Sequence, residues 1–192
     1  MRHETNLIIF LAPVINTRNN RQTVQYQISI SHECGTLNNS LRRRVLQLSE
    51  NKIVHKSHYL GGRYENIYVS HDVLPEMRTI LEVAVIEASR ILALQKKELR
   101  IGWWLNVMRP GDVTYAHSHD NDEELLSGVY YIDVPFNSGR LVLAEGASRE
   151  QIEPRAGMFV FFAPDLLHEV THNRSYRPRI SVGFNLGRLK TP

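Results

Sequence analysis

Apolar residues in this chain recur with two different periods, and the change comes near residue 100. Before it, Leu74, Met77, Leu81, Ala84, Ala88, Ile91 and Leu92 repeat at helical spacing. That stripe predicts a long helix from about Asp72 to Lys97, packed on a sheet. Ser70 or Asp72 is placed to cap it, Pro75 falls in its first turn, and Lys96 and Lys97 suit its C-terminal dipole. A shorter helix is expected over Ser40–Leu48, an irregular stretch with a turn at Gly61-Gly62 over Ser49–Tyr68, and a buried strand over Leu7–Ile15.

After residue 100 the pattern becomes that of short strands rich in Val, Ile, Phe and Tyr. The expected strands are Ile101–Met108, Val113–His117, Ser127–Val134, Arg140–Ala144, Gln151–Glu153, Met158–Ala163, His168–Thr171 and Arg179–Leu186. Turn clusters such as Arg109-Pro110-Gly111-Asp112 and Arg155-Ala156-Gly157 separate them. Short strands with frequent turns predict a sandwich or barrel rather than an α/β fold. The expectation is a mainly β protein with N-terminal helices, built on a double-stranded β-helix of jelly-roll or cupin-like type. We read 1–192 as a single domain, with 1–100 an N-terminal extension and 101–188 the core.

Composition narrows the function classes only a little. The chain is 42% hydrophobic and 22% charged with a net charge of +3, ordinary values for a globular protein. Its one short basic run, Arg42-Arg43-Arg44, is no basic stripe, so no nucleic-acid partner is expected. The single cysteine, Cys34, cannot form an internal disulfide and reads as a small buried residue. No apolar run reaches the length of a membrane span, and the cytoplasm is the expected location. Oligomeric state is not encoded in any of these features.

The chemistry sits in Tyr115-Ala116-His117-Ser118-His119-Asp120. Residues two apart on a strand share a face, so His117 and His119 can approach one ion together. His168, after the Phe161-Phe162-Ala163-Pro164 strand and bend, is the candidate third ligand. Neutral imidazole suits iron, zinc, copper or nickel rather than magnesium or calcium. Asp120, Asp122 and Glu123 are nearby carboxylates that could coordinate instead of His119.

From about Trp103 to Leu186 the chain resembles bacterial and phage 2-oxoglutarate/iron(II)-dependent oxygenases. The resemblance rests on ordered elements: Trp104-Leu105-Asn106, Gly111, His117-Ser118-His119, Ser127-Gly128-Val129-Tyr130-Tyr131, Val134-Pro135 and Gly139. It continues through Pro154, Gly157, Phe161-Phe162-Ala163-Pro164, His168, Arg179-Ile180-Ser181 and Phe184-Asn185. The resemblance implies Fe(II) held by His117, His119 and His168, with histidine where the wider superfamily carries a carboxylate. It implies Arg179 and Ser181 as receivers of the distal carboxylate of the co-substrate 2-oxoglutarate, with Tyr131 and Asn106 adding hydrogen bonds. A guanidinium suits that task as a planar fork of donors. Arg177 competes for the role but stands beyond Pro178, and Tyr131 and Asn106 read equally as a core residue and a turn cap. The activity implied is oxidation, usually hydroxylation, of an unidentified small-molecule or peptide substrate.

Two other readings stay open. Gly111, His117, His119 and Glu123 match the first motif of cupins, which would give a metalloenzyme without 2-oxoglutarate. The full strand between Gly157 and His168, and the Arg179-Ile180-Ser181 segment, fit that motif set poorly. A non-catalytic ligand-binding barrel is the third reading.

Overall fold

The structure, a computed structural model, describes residues 26–30, 34–119 and 123–190. The strand expected over Leu7–Ile15, and the carboxylates Asp120 and Asp122, lie outside the described residues.

Among the described residues eleven strands in chain order form two antiparallel sheets. They are β1 (Tyr26–Ile30), β2 (Ile53–Leu60), β3 (Arg63–Val69), β4 (Leu99–Met108), β5 (Thr114–His117) and β6 (Glu124–Asp133). The remainder are β7 (Leu141–Glu145), β8 (Ser148–Ile152), β9 (Met158–Phe162), β10 (Leu167–Val170) and β11 (Arg179–Arg188). The major sheet runs β1-β9-β6-β11-β4-β3-β2 and the minor sheet β5-β10-β7-β8. Two helices, α1 (Gly35–Leu46) and α2 (Met77–Leu92), complete a mainly β protein.

Strand alternation sorts the major sheet into two faces. Tyr130 and Ile132, Phe159 and Phe161, and Ile180, Val182 and Phe184 point one way and pack with Leu41, Met77, Ile80, Leu81 and Ala84 of the helices. The intervening Met108, Tyr131, Met158, Val160 and Phe162 point the other way and pack with Leu141, Leu143, Ile152 and Val170 of the minor sheet. Truncating one such buried side chain to alanine costs about 2–5 kcal/mol. The space between the sheets is where polar side chains of the inner faces converge.

The eight strands expected after residue 100 all form, within a few residues of their expected bounds. The helices differ more. α1 starts five residues earlier than expected, and Cys34 before it is half-buried rather than buried. α2 begins at Met77, not near Asp72, because turns closed by Val73 N–H to Ser70 O and Met77 N–H to Leu74 O occupy the segment around Pro75. Neither Ser70 nor Asp72 caps it. Glu76, just before it, instead accepts from Ser40 Oγ at 2.7 Å and Arg44 Nε at 2.8 Å, fastening α2 to α1. The helix stops at Ala93, which is left-handed at φ 53°, so Lys96 and Lys97 fall in a separate 3₁₀ turn.

The stretch Ser49–Tyr68 is not irregular. It is largely the β2–β3 hairpin, turning at Gly61 and Gly62 with φ of 58° and 83°. Polar residues on both strands hide the alternation: one face borders the site described next, the other a cavity beside α1.

Candidate metal centre and anion pocket

His117 ends β5 and faces His168 of β10 directly across the minor-sheet ladder. Their ring centroids are 4.3 Å apart. His119 lies 5.3 Å from His117 and 5.1 Å from His168. One ring nitrogen from each of the three lies within 4.8 Å of the other two. Backbone bonds brace the group: the His119 N–H donates to Pro164 O at 2.8 Å, tying the strand that carries the pair to the bend that carries His168.

Hydrogen bonding fixes two of the tautomers. His117 Nδ1 is 2.8 Å from Tyr115 O, and His168 Nδ1 is 2.9 Å from Leu166 O. A carbonyl oxygen can only accept, so each Nδ1 carries the proton and each Nε2 keeps its lone pair. Orientation of a ligating imidazole by a bond to its other nitrogen is the usual support of a metal site. Burial keeps the rings of His119 and His168 neutral. It pushes His168 down to about 3, with His117 and then His119 adding to the effect against the opposing Leu166 carbonyl. It pushes His119 down to about 4, with help from His117 and His58. Three close imidazoles, with no acid grouped among them in the described residues, suit a divalent transition metal.

Glu123 does not join them. Its carboxylate is exposed and pairs with Lys190 Nζ at 2.9 Å and Arg100 at 3.6 Å, so the fourth residue of the cupin-like pattern stands apart from the rings.

The major sheet supplies the opposite wall. Ser181 of β11 stands in register with Asn106 of β4 on one side and Tyr131 of β6 on the other. All three, with Arg179 one step along β11, line the cavity that holds the histidines. This cavity encloses about 570 Å³ of empty space counting its open mouth. Arg179 is 2% exposed. It donates through Nη1 to Gly139 O at 3.3 Å and through Nη2 to Met108 Sδ at 3.0 Å, while its buried Nε has no partner. Burial lowers its pKa, only partly opposed by Tyr131, whose ring lies 5.6 Å away. Burial in turn lifts the Tyr131 phenol to about 12. Among the described residues neither Tyr131 Oη nor Ser181 Oγ makes a hydrogen bond. A buried cation whose strongest partners are a sulfur and one carbonyl is under-satisfied. With the free hydroxyls beside it, its chemistry suits a carboxylate.

Arg177 takes no part, since it pairs with Asp133 at 2.9 Å on the surface. Asn185 does not line the cavity, and its Oδ1 accepts from Ser127 Oγ of the cavity wall at 2.8 Å. The structure adds residues that the sequence reading passed over. Glu65, Asn66 and Thr114 line the cavity. Arg63 Nη2 bonds Glu65 at 3.1 Å, Val113 O at 3.2 Å and Thr114 Oγ1 at 2.9 Å, joining β3 to the start of the histidine-bearing strand. Arg63 and the two residues from β3 lay in the stretch read as irregular, where no periodicity pointed inward.

No protein-family model matches the sequence, and no curated protein matches it. Solved structures do match. An oxidoreductase of the 2OG-Fe(II) oxygenase family from Burkholderia pseudomallei aligns with a TM-score of 0.62 at 15% identity, covering 84% of each chain. A prolyl-4-hydroxylase from Pseudomonas putida aligns at 0.60 and 18% identity, covering 88% of this chain and 90% of its own. EvdO2 from Micromonospora carbonacea, solved with 2-oxoglutarate, aligns at 0.61 and 14% identity over 88% and 90% of the two chains. The chain shares its fold with these proteins. Among the described residues no helix is long and apolar enough to cross a membrane.

Proposed function

We propose that this chain is a 2-oxoglutarate- and Fe(II)-dependent oxygenase on a double-stranded β-helix. Residues 101–188 form its core, and the earlier described strands and helices widen and cover the major sheet. One observation carries the reading: three clustered imidazoles beside the minor sheet and a buried, under-satisfied guanidinium from the major sheet open into one cavity. A metal ion alone would account for the first, and a simple anion site for the second. A co-substrate that chelates a metal at one end and carries a carboxylate at the other accounts for both.

His117, His119 and His168 would hold the iron. Arg179 and Ser181 would take the distal carboxylate, with Tyr131 and Asn106 bordering it. When bound, Fe(II) with 2-oxoglutarate and O₂ supplies oxidative decarboxylation to succinate and CO₂ coupled to oxidation of a C–H bond. The chain's own part is to present unprotonated nitrogens, fix the co-substrate by both ends, and keep water away through Phe162, Leu141 and Val170 in the cavity wall. With histidine at position 119 the protein ligands bring no negative charge, so a metal dication is neutralised by the co-substrate dianion itself.

The decisive experiment is anaerobic titration of the protein with Fe(II) and 2-oxoglutarate. The expected result is the weak visible charge-transfer band of chelated 2-oxoglutarate. Metal binding without that band would favour the cupin-type reading, and binding of neither would favour a non-catalytic barrel. Substrate is a small molecule or peptide group that reaches the cavity mouth.

A further inference from the structure

A row of rings leads from the protein surface to the candidate metal centre. His55 on β2 stacks on Tyr68 on β3, with centroids 5.5 Å apart and planes at 28°. Tyr68 lies 6.5 Å from Trp104 on β4, and Trp104 meets His119 edge-on at 5.5 Å. Strand order and register produce the row: β2, β3 and β4 are neighbours, and His55 stands opposite Tyr68. It descends from exposed His55, through half-buried Tyr68 and Trp104, to His119.

Polar groups edge the row. Asn66 Nδ2 donates to His58 Nδ1 at 3.0 Å and lies 3.4 Å from Tyr68 Oη. Ser57 Oγ sits 2.8 Å from His58 Nδ1 and 3.5 Å from Tyr68 Oη. His58 adopts a positive φ of 56°, a conformation that L residues seldom take, and its ring meets this group. Among the described residues no carboxylate, ammonium or guanidinium belongs to the row. The charged side chains of the same hairpin are engaged elsewhere, Lys56 with Glu50 at 2.6 Å and Arg63 with Glu65 at 3.1 Å.

This composition selects its occupant. Aromatic faces pack against a ring that presents C–H bonds. Hydroxyl, amide and imidazole groups both donate and accept, which matches hydroxyl substituents. On the outer row, at His55 and Tyr68, a charged group would lose water without meeting an opposite charge among the described residues. We infer that the His55–Tyr68–Trp104 row binds an uncharged, hydroxyl-bearing ring, a neutral glycoside, and delivers it to the three-histidine centre. This rests on the oxygenase reading, for which it names the substrate class.

Saturation-transfer NMR on the Zn(II)-loaded protein with 2-oxoglutarate tests it. The probes are the methyl glycosides of glucose, galactose and mannose, with methyl glucuronide and methyl glucosaminide as charged counterparts. Transfer is expected to the ring C–H protons of at least one neutral glycoside and to be weaker for the charged pair. Tyr68→Ala and His55→Ala should each weaken binding about fivefold, the scale of one lost ring contact. Tyr59→Ala, in the cavity on the other face of the sheet, should not. Two substitutions guard against a folding defect in either one. Equal or stronger transfer to a charged glycoside, or none to any neutral one, overturns the inference. So does binding indifferent to both substitutions. Transfer to 2-oxoglutarate is read in the same sample, so its presence without a glycoside signal sinks the platform alone, and its absence sinks the oxygenase reading as well.

Discussion

His117 and His168 face each other across the β5–β10 ladder in matching poses, each ring anchored through Nδ1 to the carbonyl two residues upstream, with centroids 4.3 Å apart. Two strands thus arrive at one point with the same solution for presenting Nε2.

Replacing either ring removes a nitrogen that no other described residue of the cluster supplies. His117→Ala and His168→Ala should each weaken Fe(II) binding by at least about a hundredfold, beyond the 10–100-fold typical of lost supporting contacts. Isothermal titration under anaerobic conditions reads this directly. His119→Asp should behave differently and retain iron, because two histidines and a carboxylate also form an iron(II) site.

In the proposed reading Arg179 receives the distal carboxylate, and its side chain is buried. Arg179→Met should raise the 2-oxoglutarate dissociation constant about a hundredfold, roughly 3 kcal/mol of a broken charge-assisted pair. Iron binding measured without co-substrate should change little. Equal loss of both would place Arg179 in the scaffold rather than in recognition.

The metal-free protein should weaken in acid. The folded values of about 4 for His119 and about 3 for His168 lie below the ordinary imidazole value of 6.5. The unfolded chain therefore binds more protons below pH 6.5, and stability falls as pH drops from there towards the folded values. Urea midpoints of the metal-free protein should be flat above about pH 7 and decline below about 6. Midpoints that rise on acidification would contradict neutral rings.

Gly183 lies beneath Trp104, where an added Cβ would come within 2.5 Å of the indole. Gly183→Ala should force the indole off its place against His119 and destabilise the fold by about 1–3 kcal/mol, seen as a lower melting temperature. Its Trp fluorescence should shift, whereas a purely local strain would leave emission unchanged.

The second half of the chain was legible because alternation there is clean. Ile180, Val182 and Phe184 go to the helix side, and Arg179 and Ser181 go to the cavity. The histidine cluster could be read for the same reason, since two-residue spacing on a strand and one distant histidine need little else. The β2–β3 hairpin could not be read. Both of its faces carry polar residues with work to do, and His58 breaks the regular backbone. The start of α2 was misplaced because the apolar spacing continues through Leu74 into a turn. Side chains that matter through partners far along the chain, such as Arg63 with Thr114, leave no local trace.

The four-residue strand bearing His117 is the outermost of its sheet and, among the described residues, pairs only with β10, with a register break between His168 and Val170. Few peptide bonds hold it, so a bound cation would act as a rivet through the ladder. Amide protons of residues 114–119 should then exchange fastest in the stripped protein and slow most on metal loading, which would make the proposed ion a structural fastener of the edge it sits on.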